Sequence, residues 1–186
     1  AGSVVVADGG MSATFSVTAT QDSVADLTVT INDTVVDVHG NALIAATSEL
    51  ETVDTENPAV NLAQSFGDDV DDNILADADQ PITYTVNFSE PVQAFTAEDI
   101  NTASNGEVQS ETIVLTTTEQ GHVIGASFNV IAKDNFDGAL IVKIEPTVLD
   151  LNGNTLDPNS IQVQVDTKNP VVDVNLSGQS TSDGSY

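Results

Sequence analysis

The sequence predicts an all-β fold, an antiparallel β-sandwich arranged as tandem repeats. Three observations predict it: short runs of alternating apolar and polar residues, turn residues spaced between those runs, and a long segment that returns further along the chain.

The repeat sets the domain boundaries. Val53-Asp54-Thr55-Glu56-Asn57-Pro58 returns 112 residues later as Val165-Asp166-Thr167-Lys168-Asn169-Pro170. Upstream, Asp37-Val38-His39-Gly40-Asn41-Ala42-Leu43 returns 113 residues later as Asp150-Leu151-Asn152-Gly153-Asn154-Thr155-Leu156. Held from Thr14 to Leu43, the 113 spacing gives 12 identities in 30 positions, among them Phe15/Phe128, Leu27/Leu140 and Ile31/Ile144. Chance supplies about two. Residues 1–52 therefore read as the later half of one unit, 53–166 as a complete unit and 167–186 as the start of a third. Proline at each junction fixes φ and keeps its predecessor extended, which suits a short, stiff connector.

Within the complete unit, Ile82, Tyr84, Val86 and Phe88 fall at period two with Thr83, Thr85 and Asn87 between them. Val108–Thr117, Val123–Ala132, Leu140–Ile144 and Ile161–Val165 follow the same habit. Gly67, Pro81, Pro91, Gly106, Gly121, Gly138, Pro146, Gly153 and Pro158 punctuate them. Such runs at such spacing read as antiparallel strands of a sandwich. A helix would be at most one turn, near Ala97-Glu98-Asp99. With neither cysteine nor tryptophan in the chain, Phe88, Phe95, Phe128 and Phe136 are expected to supply the aromatic core.

Composition narrows the partners. The chain's 186 residues carry 29 acidic side chains against three lysines, for a formal charge of -26. Phosphate contacts need Lys and Arg, so neither nucleic acid nor an anionic membrane is expected as a partner. A cation fits better, and Ca²⁺ takes carboxylate and carbonyl oxygens. No apolar run approaches the length of a membrane span, and no signal peptide opens the chain. Because Ala1 falls in mid-pattern, an export signal is expected to lie outside this piece.

Two further sets of residues carry a family resemblance. Phe88-Ser89-Glu90-Pro91-Val92-x-x-Phe95-Thr96-x-Glu98-Asp99-Ile100 resembles the signature of bacterial immunoglobulin-like repeats in giant, RTX-type surface adhesins. The Val-Asp-Thr-x-x-Pro junction and the Asp-x-x-Gly-Asn turn are similar to the same repeats. The resemblance covers Val53 to Val165 and both flanks. It implies an immunoglobulin-like Greek-key sandwich, stacking in very long chains, type I export to the bacterial cell surface, and linkers stiffened by Ca²⁺. Adhesion, cell–cell contact and biofilm formation are the implied roles; the adhesion target is not among the things it implies.

Strand direction suggests where calcium would sit. The strand near Ala59–Ala63 runs away from the preceding unit, so the loop after it, with Asp68, Asp69 and Asp71, belongs at the far pole. The last strand, Ile161–Val165, also runs that way, which puts Asp150-Leu151-Asn152-Gly153-Asn154 at the near pole beside Asp54. Glu90 ends a strand reaching the same pole. The expected Ca²⁺ ligands are Asp54, Glu90, Asp150, Asn152 and Asn154 at one joint, with Asp166 and the far-pole acids Asp68, Asp69 and Asp71 serving the next. Asp37 is a weaker counterpart of Asp150, since His39 replaces Asn152 and imidazole suits Ca²⁺ poorly.

Plainer readings stand beside these. Asp-x-Asn-Gly-Asn is a good turn for conformational reasons alone. The Asp68–Asp79 run reads equally as a solvated loop; it is not an EF-hand, since Ile74 stands where glycine is required and Gln80 where glutamate is. Glu98 and Asp99 read as surface or capping carboxylates. His39 and His122 are the only histidines, and both read as solvated, so no enzyme is expected. Two functions remain. One is an extender repeat contacting neighbouring repeats of its own chain, with self-association through the truncated flanks. The alternative is a module binding carbohydrate or protein. Generic acidity for a saline habitat would explain the charge without specific sites.

Overall fold

Why alternation makes a core is plainest between Pro81 and Val92, where Ile82, Tyr84, Val86 and Phe88 all turn to one face and all are buried. The computed structural model describes residues 3–7, 9–65, 74–75 and 81–175. Its strands are β1 (Val5–Val6), β2 (Ala13–Thr14), β3 (Val24–Leu27), β4 (Thr30–Ile31), β5 (Ala46–Thr47), β6 (Glu51–Asp54) and β7 (Val60–Ser65). They continue as β8 (Ile74–Leu75), β9 (Pro81–Val92), β10 (Ile100–Asn101), β11 (Gly106–Thr117), β12 (Val123–Ala132), β13 (Asp137–Ile144) and β14 (Asn159–Asp166). The fold is all-β.

Two four-stranded sheets, ordered β11-β12-β9-β7 and β10-β13-β14-β8, enclose one apolar core. Every pairing is antiparallel except β14 with β8. The first sheet turns Leu62, Val86, Phe128 and Val130 inward; the second answers with Ile100, Leu140, Val142, Ile144 and Val163. Each large side chain so buried contributes about 1.5–3 kcal/mol. Tyr84 stacks on Phe128 with ring centroids 5.6 Å apart, and Phe95 meets Phe88 edge-on at 5.6 Å. Phe136, expected in this group, packs at the rim and is only partly buried. Among the described residues the single helical turn lies at Ala97–Asp99, as the sequence suggested. There Asp99 accepts hydrogen bonds from the Thr96 backbone N–H at 2.8 Å and the Thr147 hydroxyl at 2.6 Å, the capping role expected of it.

Residues 20–55 repeat this wiring on a smaller scale. Val24 pairs with Asp54 and Leu27 with Glu51, as Asp137 pairs with Asp166 and Leu140 with Val163. Thr30 pairs with Thr47, as Lys143 pairs with Ser160. The sequence spacing falls from 113 to 112 between Thr47 and Glu51, so this stretch holds one residue more than its counterpart. The extra residue splits into β5 and β6 what is continuous in β14. Thr55 and Thr167 make the same clasp. The Thr55 hydroxyl donates to the Thr20 carbonyl at 2.6 Å and accepts from the Ser23 N–H at 3.2 Å. The Thr167 hydroxyl donates to the Lys133 carbonyl at 2.7 Å and accepts from the Phe136 N–H at 2.9 Å.

One feature of β9 was not legible beforehand. Val92 pairs with Val123 and Asn87 with Gly125, so residues 88–91 face Ile124 alone. Pro91 has no N–H to give the ladder, and the strand bulges there. Gly125 permits the close approach beneath the bulge, since a Cβ at that position would lie 2.6 Å from the Val86 carbonyl oxygen.

Candidate metal centre

Three chain segments converge beside the bulge. The first is the end of β6, where Asp54 is the last residue before the linker. Pro58 within it is buried, and its carbonyl accepts from the Asp157 N–H at 2.9 Å, so the connector is fastened at its far end. The second is the bulge itself, which carries Glu90. The Ser89 N–H donates to the Ala59 carbonyl at 2.9 Å, and the Ser89 hydroxyl accepts from the Ala59 N–H at 2.8 Å, fixing the bulge against the linker's end. The third is the turn Asp150–Asn154, held where Val92 bridges to Asp150 and the Gln93 side chain donates to the Asp150 carbonyl at 2.8 Å.

The turn is built by its own aspartate. Asp150 Oδ1 accepts from the backbone N–H groups of Asn152 at 2.8 Å and Asn154 at 2.7 Å, while Oδ2 accepts from the Asn154 amide at 2.7 Å. Gly153 takes φ +95°, a conformation that favours glycine. This is the conformational role of Asp-x-Asn-Gly-Asn. It leaves Asp150 with 0% of its surface exposed, the one carboxylate buried among the described residues. Burial pushes the Asp150 carboxyl up, but the hydrogen bonds from Asn154, Asn152 and Gly153 outweigh it and hold the group below its ordinary value of 3.8.

Carboxylate oxygens of Asp54, Glu90 and Asp150 lie within 4.8 Å of one another. The Asn152 amide donates to Asp54 Oδ2 at 2.9 Å, and the Asn154 amide to the Asp54 carbonyl at 3.3 Å. Five of the residues expected at the near pole are thus gathered in one place. Glu90 responds to the crowding. Burial, then the charges of Asp54, Asp150 and Glu56, raise its carboxyl above the ordinary 4.5. Among the described residues no hydrogen bond reaches its side chain to offset them. The donor set is oxygen only, with no histidine or thiol, which suits a hard cation such as Ca²⁺ and not Zn²⁺.

The other expected ligands stand apart from this cluster. Asp37 builds the same turn as Asp150, accepting from the His39 and Asn41 N–H groups at 2.8 Å each, but it is exposed and joins no carboxylate group among the described residues. Asp166 repeats the local geometry of Asp54. Its Oδ1 accepts from the Lys168 N–H at 3.0 Å, as Asp54 Oδ1 accepts from the Glu56 N–H at 3.0 Å; Asp137 lies across the ladder from it, but it joins no cluster of three acids among the described residues. Asp68, Asp69 and Asp71 lie outside the described residues. Gln93 and the bulge at 88–91 are the positioning features that sequence reasoning missed. An isolated glutamine carries no signal, while Pro91 was the one hint of the bulge. His39 and His122 are both exposed.

A cavity of about 430 Å³ opens beside the centre, lined by Ala19, Gln21, Asp22, Thr55, Asn57 and Asn154 among others. No aromatic ring lines it. Against known protein families, curated proteins and solved structures, the chain has no match.

Proposed function

We propose that this chain is an extender segment of a long, secreted adhesin on a bacterial cell surface, in which β-sandwich repeats stack end to end and Ca²⁺ stiffens the joint between them. The observation that carries the reading is the meeting of Asp54, Glu90 and Asp150 within 4.8 Å, from a strand end, a strand bulge and a turn. Carboxylates that crowd together and raise Glu90 oppose their own assembly unless a cation joins them. Asp54, Glu90 and Asp150 would hold the ion, with Asn152 and Asn154 positioning Asp54 and Asp150 through their amide N–H groups. Bound there, Ca²⁺ supplies the positive charge that cancels this repulsion. Because Asp54 ends β6, before the connector, and the other two belong to the following sandwich, such an ion would restrain the hinge. Asp166 would begin the next joint, and Asp37 would close the preceding one.

The overall charge of -26 and the repeated wiring of residues 20–55 in 133–167 support stacked, Ca²⁺-dependent units. The immunoglobulin-like, Greek-key character and the biofilm role rest on the resemblance in sequence. The cavity favours a second reading, a module that binds carbohydrate or protein at this pole. Its lining offers no ring for a sugar to stack on, and Tyr84 is buried in the core.

Melting the chain in Ca²⁺, in Mg²⁺ and in chelator tests the first reading. An ion held at a hundred times its dissociation constant stabilises by about 2.7 kcal/mol, a rise of about 10 °C for a domain of this size. That rise is expected for Ca²⁺ and not for Mg²⁺, and Asp54→Asn should abolish it. An equal response to both ions would point to diffuse acidity instead. A glycan-array hit abolished by Asn57→Ala would favour the second reading.

A further inference from the structure

Outside the metal centre, β10 and β13 bring a lysine, an asparagine and a glutamate together on one face. Ile100 pairs with Ile144 and Asn101 with Lys143, and the Glu145 N–H carries the ladder on to the Asp99 carbonyl at 2.9 Å. Ile100 and Ile144 turn into the core. Alternation sends Asn101, Lys143 and Glu145 to the opposite, outer face, with Asn101 directly across from Lys143 and Glu145 two residues further along. There the Glu145 carboxylate serves both neighbours. Its Oε2 accepts from Lys143 Nζ at 2.8 Å, and its Oε1 accepts from Asn101 Nδ2 at 2.8 Å. These bonds, Lys143's first, hold the Glu145 carboxyl below its ordinary 4.5, so it stands ionised as a base. Asn101 Oδ1 in turn accepts from the Ala103 N–H at 2.8 Å.

A surface ion pair needs only the contact between Lys143 and Glu145, and such pairs contribute little. Here an amine and an amide share one base, and a backbone donor already polarises the amide oxygen. We propose that Lys143 and Asn101 join in an intramolecular amide bond, with Glu145 as the proton carrier. Glu145 Oε2 takes a proton from the Lys143 ammonium, and the freed Nζ attacks Asn101 Cγ. Negative charge gathers on Oδ1, where the Ala103 N–H receives it. Glu145 delivers its proton to Nδ2, the Cγ–Nδ2 bond breaks, and ammonia leaves, taking up as ammonium the second proton that Nζ sheds. One C–N bond replaces another, and no oxidant is needed. Lys143 and Glu145 keep 41% and 23% of their side-chain surface exposed, so the ammonia has water to enter. The product fastens β10, a two-residue strand at the end of its sheet, covalently to β13.

The intact mass of the full chain reads the bond directly. After prolonged incubation the folded chain should weigh one ammonia less than its sequence. A digest should then hold one branched peptide joining Asn101 to Lys143. Lys143→Arg keeps the ion pair but has no primary amine, and it should show the full mass, as should Asn101→Ala and Glu145→Gln. The Lys143→Arg chain should melt about 10 °C below the linked chain, because the bond closes the loop from Asn101 to Lys143. Full mass in the incubated chain would overturn the inference, and so would linkage at an unchanged rate in Glu145→Gln. A loss of ammonia that persists in Lys143→Arg would overturn it too, since it would mark a succinimide at a site such as Asn105-Gly106 or Asn152-Gly153.

Discussion

The Asn152 side-chain amide donates to the Asp54 carboxylate at 2.9 Å across 98 residues of chain, tying a turn of the sandwich to the end of β6, where the connector begins. The tie brings the carboxylate at the end of β6 up against Glu90 and Asp150. Three carboxylates meet there, and burial, with the neighbouring charges, raises Glu90.

Asp37 and Asp150 build the same turn, yet they differ in what surrounds them. Asp150 is fully buried and satisfies three donors, two of them backbone. Asp150→Ala should therefore cost about 2–4 kcal/mol, because it strands charge-assisted donors away from water. Asp37→Ala breaks the same bonds in solvent, where water replaces them, and should cost far less. Urea denaturation of the two variants in chelator makes the comparison.

Glu90 predicts an unusual pH dependence. Its carboxyl is raised on folding, by burial first and then by Asp54, Asp150 and Glu56, so the folded chain binds the proton more tightly than the unfolded chain. The stability this contributes is fully present below the ordinary 4.5 and is lost as pH rises through the folded value. Asp150 works in the opposite direction. Its lowered carboxyl contributes stability above 3.8 that is lost as pH falls further. In chelator, Glu90→Gln should raise stability at pH 7 and leave it unchanged well below pH 4. A melting series from pH 3 to 8 checks both arms, and unaltered stability at pH 7 would contradict the Glu90 assignment.

Gly125 lies beneath the bulge that carries Glu90, and a Cβ there would stand 2.6 Å from backbone, not from a side chain that could move aside. Gly125→Ala should cost about 1–3 kcal/mol. It should also displace residues 88–91 and weaken the Ca²⁺ response, although Gly125 itself bears no ligand. Denaturant titration with and without Ca²⁺ reads the two effects separately.

Much of this was legible because periodicity and repetition act locally. Val123–Ala132 was read as a strand with the boundaries it has in β12, and the inward set of β9 follows from strict alternation. The meeting of Asp54, Glu90 and Asp150 was legible from strand direction alone, since an odd or even number of traversals decides which pole a loop occupies. The bulge was not. Phe88-Ser89-Glu90-Pro91 reads as a strand running into a turn, and only the register against β12 reveals four residues facing one. Nor was the burial of Asp150 legible, because Asp37 carries nearly the same local sequence and is exposed. What separates the two is the packing of distant segments, Val92 and Gln93 on one side and the connector on the other. Phe136 was misjudged for a related reason: it follows the tight turn at Asn135, φ +56°, and closes the rim of the core instead of filling it.

The central claim is mechanical, that an ion shared by connector and sandwich removes freedom at the joint. Spin labels at Thr28→Cys, in the strand pairs before the connector, and at Glu111→Cys, in β11, report it as a distance distribution, with no native cysteine to interfere. Ca²⁺ should narrow that distribution sharply, chelator should broaden it again, and Asp54→Asn should leave it broad in either condition. A distribution of the same width with and without Ca²⁺ would contradict the account, however tightly the ion bound.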